Sequence, residues 1–90
     1  MREVEVAGEA TFAGLPDGGV VLHTGTKRYY SLNQTGARIW ALLETSGDPQ
    51  EAAETLRTEY GIAEEDAKRA VTELTDALLA AGLVRRTART

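Results

Sequence analysis

The sequence predicts an α+β domain in which a three-stranded antiparallel sheet comes first and three helices follow. Three observations predict it. Between Ala10 and Leu32 apolar residues are grouped in short runs broken by glycine, proline and aspartate, the pattern of a meander. From Gln34 to Ala81 the apolar spacing changes to three and four, the period of helices with one buried stripe. The chain has 90 residues, 42% of them hydrophobic, which suffices for one core and one domain spanning 1–90.

The first strand is expected around Ala10 to Ala13, and Pro16, Asp17, Gly18 and Gly19 supply the turn after it. Val20, Val21 and Leu22 form a second strand with a β-branched centre. Thr24, Gly25, Thr26 and Lys27 read as a tight connection into the third strand, Arg28 to Leu32. Alternation places Tyr30 and Leu32 on one face, toward the core, and Tyr29 and Ser31 on the other. Leu22 is expected to join Tyr30 and Leu32 across the hairpin. The alternating Glu3, Val4, Glu5, Val6 fits either a strand or a loose terminus, which leaves Val4 to Gly8 unassigned. Residues 1–8 and 85–90 are expected to be flexible ends.

Asn33 is a suitable N-cap for a helix from Gln34 to Glu44, because its side-chain oxygen can accept an otherwise unpaired amide of the first turn. Ile39, Trp40 and Leu43 give that helix its buried stripe, and the Trp40 indole N–H is expected to find a carbonyl. Gly47 ends it. Asp48, Pro49 and Glu51 then read as N-cap, first-turn proline and capping-box acid of a second helix, which carries Leu56 and Tyr60 and stops at Gly61. Glu64, Glu65 and Asp66 open a third helix with acids at its positive dipole end. Ala67, Val71, Leu74, Leu78 and Ala81 hold its apolar spacing until Gly82, after which Leu83 and Val84 fold back.

Charge and composition exclude several chemistries. Fourteen acidic residues against ten basic ones, a net charge of -4, do not make a phosphate-neutralising surface, so no nucleic-acid partner is expected. Arg85, Arg86 and Arg89 read as a solubilising tail. There is no cysteine, which removes disulfides, thiolate metal sites and thiol catalysis and fits a reducing cytoplasm. His23 is the only histidine and has no partner in local register, so neither a metal nor a catalytic role is expected of it. The consecutive acids of the third helix point about 100° apart and cannot act as a carboxylate pair. The glycines match no dinucleotide or phosphate-loop spacing. No secretory or membrane-spanning segment is read in the chain, no cofactor is expected, and no enzyme signature remains.

What remains is a third strand that can be an open sheet edge, able to receive a peptide strand or to need protection by Lys27 and Arg28. The run Arg28-Tyr29-Tyr30-Ser31-Leu32-Asn33-Gln34-Thr35-Gly36-Ala37-Arg38-Ile39-Trp40, with Leu42-Leu43 after it, resembles the signature segment of PqqD-like proteins. These are the peptide-recognition elements of pathways that make ribosomally synthesised and post-translationally modified peptides (RiPPs). The likeness continues through Tyr60-Gly61 to Ala81-Gly82-Leu83-Val84. Ala63 departs from it, since relatives often carry a capping Asp or Ser there, a loss of about 1 kcal/mol in typical cap replacements.

The resemblance implies a winged-helix-like fold and a non-catalytic role like that of free-standing leader-binding proteins in lasso-peptide clusters, where a separate leader peptidase and an ATP-dependent cyclase do the chemistry. It implies β-strand addition of the leader peptide along the third strand's free edge, in the cleft beside the third helix. On this sequence the peptide-binding residues would be Leu22, Lys27, Arg28, Tyr29, Tyr30, Ser31 and Leu32, with Val71, Leu74, Thr75 and Leu78 as the helical wall. Two alternatives stand beside it. A DNA-binding winged helix is opposed by the Glu64-Glu65-Asp66 start of the would-be recognition helix. A self-associating module would pair the same edge with its own copy.

Overall fold

The computed structural model describes residues 2–87. Eight elements follow one another: β1 (Val4–Val6), β2 (Ala10–Leu15), β3 (Gly18–His23), β4 (Arg28–Asn33), α1 (Gln34–Ser46), α2 (Pro49–Tyr60), α3 (Glu64–Ala80) and β5 (Val84–Arg86). Strands β2, β3 and β4 form an antiparallel meander in that order, and β1 pairs with β5 in a second, two-stranded sheet. The three-stranded sheet followed by three helices is the α+β order that the sequence predicts and fits the winged-helix-like fold that the resemblance implies.

Each junction has a local cause. Leu15 pairs with Gly18 around Pro16 and Asp17, so the first hairpin turns in two residues. Gly19 is required by what lies above it, because a Cβ there would meet the Phe12 ring, with Cζ only 2.5 Å away. That ring stacks on Trp40 at 6.0 Å between centroids and ties the sheet to α1. The second hairpin closes with Lys27 N–H donating to the His23 carbonyl at 2.8 Å and Lys27 at positive φ. His23 has a structural task here: its Nδ1 accepts from the amides of Gly25 (3.1 Å) and Thr26 (3.2 Å). A ring nitrogen that accepts carries no proton, so the proton of the neutral ring sits on Nε2.

Register corrects one expectation. Tyr30 lies opposite Val21 and Leu32 opposite Gly19, on the side that packs against the helices, whereas Leu22 lies opposite Tyr29. The side-chain period of a strand is two, so Leu22 is on the outer face, away from Tyr30 and Leu32.

The chain ends are corrected as well. Val4 pairs with Arg86 and Val6 with Val84, and Thr87 N–H donates to the Glu3 carbonyl at 3.0 Å. Val4 and Val84 are buried in the core, while Arg85 meets Glu5 outside it at 2.8 Å. The valines that left the N-terminal segment ambiguous supply the apolar face of this small sheet. Gly47 holds it to α1: its carbonyl accepts from the amides of Glu3 and Val4, and its positive φ of 68° both ends α1 and lets β1 approach. Met1 and residues 88–90, the outermost parts of the ends expected to be flexible, lie outside the described residues.

The helix caps divide into two kinds. Asn33 Oδ1 accepts from Gly36 N–H at 2.7 Å, and Asp48 Oδ1 accepts from Gln50 and Glu51. Burial pushes the Asp48 carboxyl upward, but nearby positive charge and the hydrogen bonds it accepts, those from the Gln50 and Glu51 amides among them, hold it, on balance, below its ordinary range. The Asp48 amide donates to Ser46 Oγ, the task a capping box would give to Glu51. Ala63 provides no side-chain cap to α3, which relies on Glu64, Glu65 and Asp66 in its first turn. In the core, Trp40 is buried but its Nε1 has no hydrogen-bond partner, contrary to the expected carbonyl contact. Packing on Phe12 holds the ring, and no carbonyl comes within reach. Among the described residues, no helix is long and apolar enough to cross a membrane.

Candidate binding groove

Strand β4 is an edge of the three-stranded sheet. In an antiparallel strand every second residue directs its N–H and C=O to the same side, so an edge leaves half of its backbone groups without a ladder partner. The usual protections are slight here: β4 contains no proline, and the basic residues are confined to its start, Arg28 and the preceding Lys27.

A groove of about 400 Å³ runs beside this edge. Ser31, Leu32 and Asn33 line it from β4, and Thr35, Gly36 and Ile39 from the first turns of α1. The opposite wall is α3, through Ala70, Glu73, Leu74 and Ala77. Leu32 and Leu74 are half-buried and Ile39 is fully buried, so the floor is apolar while Ser31, Asn33, Thr35 and Glu73 make the rim polar. Toward the other end of the sheet the turn that follows α3 approaches β3. A Cβ on Gly82, just past α3, would lie 3.5 Å from Nε2 of His23, which pairs with Arg28.

The structure divides the expected site residues into two groups. Lys27, Arg28, Tyr29 and Ser31 are exposed along the edge, and Tyr30 and Leu32 are half-buried on the helix side. Of the four helical residues, only Leu74 lines the groove. Val71 (1% exposed), Thr75 (6%) and Leu78 (3%) point into the core with Ala67. The reason is the 100° step of a helix: the core stripe 67-71-75-78 and the groove stripe 70-73-74-77 both recur at three and four, and the more apolar one is the buried one. Leu22 and Tyr29 lie on the outer face of the sheet, Tyr29 at 71% exposure. Sequence reasoning missed Ala70, Glu73 and Ala77 on α3, and Thr35, Gly36 and Ile39 on α1. The signal available was the second stripe of small residues on α3, adjacent to the apolar one.

The profile of the family described as coenzyme PQQ synthesis protein D (PqqD) matches residues 18–84, from the start of β3 to the start of β5. The chain belongs to the PqqD family. Two solved structures share its fold over nearly the whole length. TbiB1 in complex with the TbiA(beta) leader peptide superposes with a TM-score of 0.84 at 28% identity, covering 94% of this chain and 99% of the other. Lasso peptide synthetase B1 complexed with the leader peptide gives 0.81 at 29% identity, covering 91% and 96%. No curated protein sequence matches. The family match agrees with the PqqD-like RiPP recognition element expected from the Arg28–Trp40 segment.

Proposed function

We propose that this protein is a non-catalytic cytoplasmic adaptor that binds the leader region of a ribosomal precursor peptide. The leader adds as a strand along β4, its side chains enter the groove against α3, and the adaptor presents it to a separate leader peptidase and to an ATP-dependent cyclase of a lasso-type pathway. The single observation that carries this reading is an uncovered strand edge running beside an apolar-floored groove. The two structural neighbours, both complexes with leader peptides, support it.

Magnitudes fit such a role. About four backbone hydrogen bonds at roughly 1 kcal/mol net, with two anchoring side chains at roughly 2 to 3 kcal/mol each, offset the 2 to 5 kcal/mol needed to order a flexible leader. Backbone pairing alone is too weak, so the groove must seat at least one large leader side chain. Catalysis has no support in this chain: Nδ1 of the only histidine is occupied by two backbone amides. Binding accelerates the partner enzymes by raising the effective concentration of substrate.

The test is titration calorimetry of the precursor's leader against the parent and Ala77→Arg. Ala77 is exposed on the groove wall, so the arginine leaves the core intact and obstructs an inserted strand. Loss of most of the affinity in a folded variant is expected. Unchanged affinity would place the leader elsewhere.

A further inference from the structure

Three charged side chains beside the groove are left without ionic partners among the described residues: Lys27 and Arg28 at one end of β4, and Glu73 on the α3 wall at the other. Three other pairs on the helices are closed, Lys68 on Glu64, Arg69 on Asp66 and Arg38 on Glu59, while Glu65 and Asp76 of α3 are also without an ionic partner but do not line the groove. Glu73 lines the groove together with Leu32, and Leu32 and Arg28 share the helix-facing side of the strand. They are four residues apart, about 13 Å along β4. An extended occupant of this edge would therefore meet a negative charge at one end and a positive one at the other, with the apolar Leu32–Leu74 floor next to the negative end.

We propose that the groove reads the order of charges along its occupant: it takes an extended peptide with a basic residue beside Glu73 and an acidic residue, four positions away on the same face, beside Arg28. The inference rests on the strand-addition reading and adds to it a substrate class, an apolar strand with opposite charges at its two ends. Four positions matter because only even separations return a strand's side chains to one face. Charge order also sets orientation: the polarised occupant fits in one direction along β4, which a row of backbone hydrogen bonds by itself does not enforce.

The probes are two end-blocked, fluorescently labelled peptides of identical composition, built on an alternating Val/Thr host and differing only in a central Lys-x-Tyr-x-Glu or Glu-x-Tyr-x-Lys. Exposed ion pairs change affinity by about two- to fivefold each, and inverting the order converts both attractions into repulsions. The parent should therefore bind one peptide about tenfold more tightly by fluorescence anisotropy at low salt, with a smaller ratio at high salt. Glu73→Lys and Arg28→Glu should each shrink the preference, and the double variant should reverse it. Equal binding of both peptides, or a preference that survives the double variant, overturns the inference. If β4 amide resonances still move on binding in that case, strand addition stands without the charge reading. If neither peptide binds or moves those resonances, both fall.

Discussion

The two faces of α3 show how one helix serves stability and recognition without sharing residues. Ala67, Val71, Thr75 and Leu78 face the core and are almost wholly buried, while Ala70, Glu73, Leu74 and Ala77 face a groove that remains open to solvent. Adjacent positions in sequence thus have opposite tolerances. On the core face, a changed volume or charge is felt as lost stability. On the groove face, small side chains hold the wall back from β4 and leave room for a strand.

Substitutions of neighbouring residues make that division measurable. The largest effect is expected from Thr75→Arg, which inserts an unpaired charge at a 6% exposed site. It should cost about 3 kcal/mol or more and abolish the cooperative thermal transition in circular dichroism. Ala77→Arg, two residues on, should stay within about 0.5 kcal/mol of the parent. If the two variants melt alike, the division between faces is wrong. Next comes Leu78→Ala, expected to lose about 2 to 5 kcal/mol in chemical denaturation, clearly more than Leu74→Ala, whose half-buried side chain contributes instead to leader affinity.

The strands and helices themselves were readable because local rules and tertiary demands agree there: Asn33 caps, Gly47 and Gly61 stop, and Tyr30 and Leu32 alternate inward. The errors fall where a local pattern admits two solutions. Two stripes of equal period on α3 can each be the wall, and only tertiary packing, most of it against α2, decides between them. One residue of register decides the face of Leu22. The β1–β5 ladder joins segments eighty residues apart, a pairing that no local signal in Val4–Val6 announces. His23 has no partner visible in the sequence pattern because its partners are backbone amides.

Smaller effects refine the contrast between helix starts. Asn33→Ala should lose about 1 kcal/mol by removing the Gly36 cap, and Ala63→Asp should gain a few tenths to 1 kcal/mol by supplying the cap α3 lacks, both read from denaturation midpoints. The smallest effect is a pH dependence. The Asp48 carboxyl titrates below its ordinary value when folded, so its contribution is complete above about pH 4 and fades as pH falls through that lower folded value. Asp48→Asn retains an accepting oxygen but no titrating group, so parent and variant should differ in stability near neutral pH and converge in acid. A difference that stays constant down to acid pH would show that the charge contributes nothing.

The most direct measurement of leader recognition at β4 is residue-resolved amide hydrogen exchange with and without the precursor's leader. Both β2 and β4 are edges of the same sheet, but only β4 borders the groove. Added leader should slow exchange at alternate amides between Arg28 and Asn33, those directed outward, and leave Ala10–Leu15 unchanged. Protection appearing along β2, or equally at every amide of the protein, would contradict strand addition at β4.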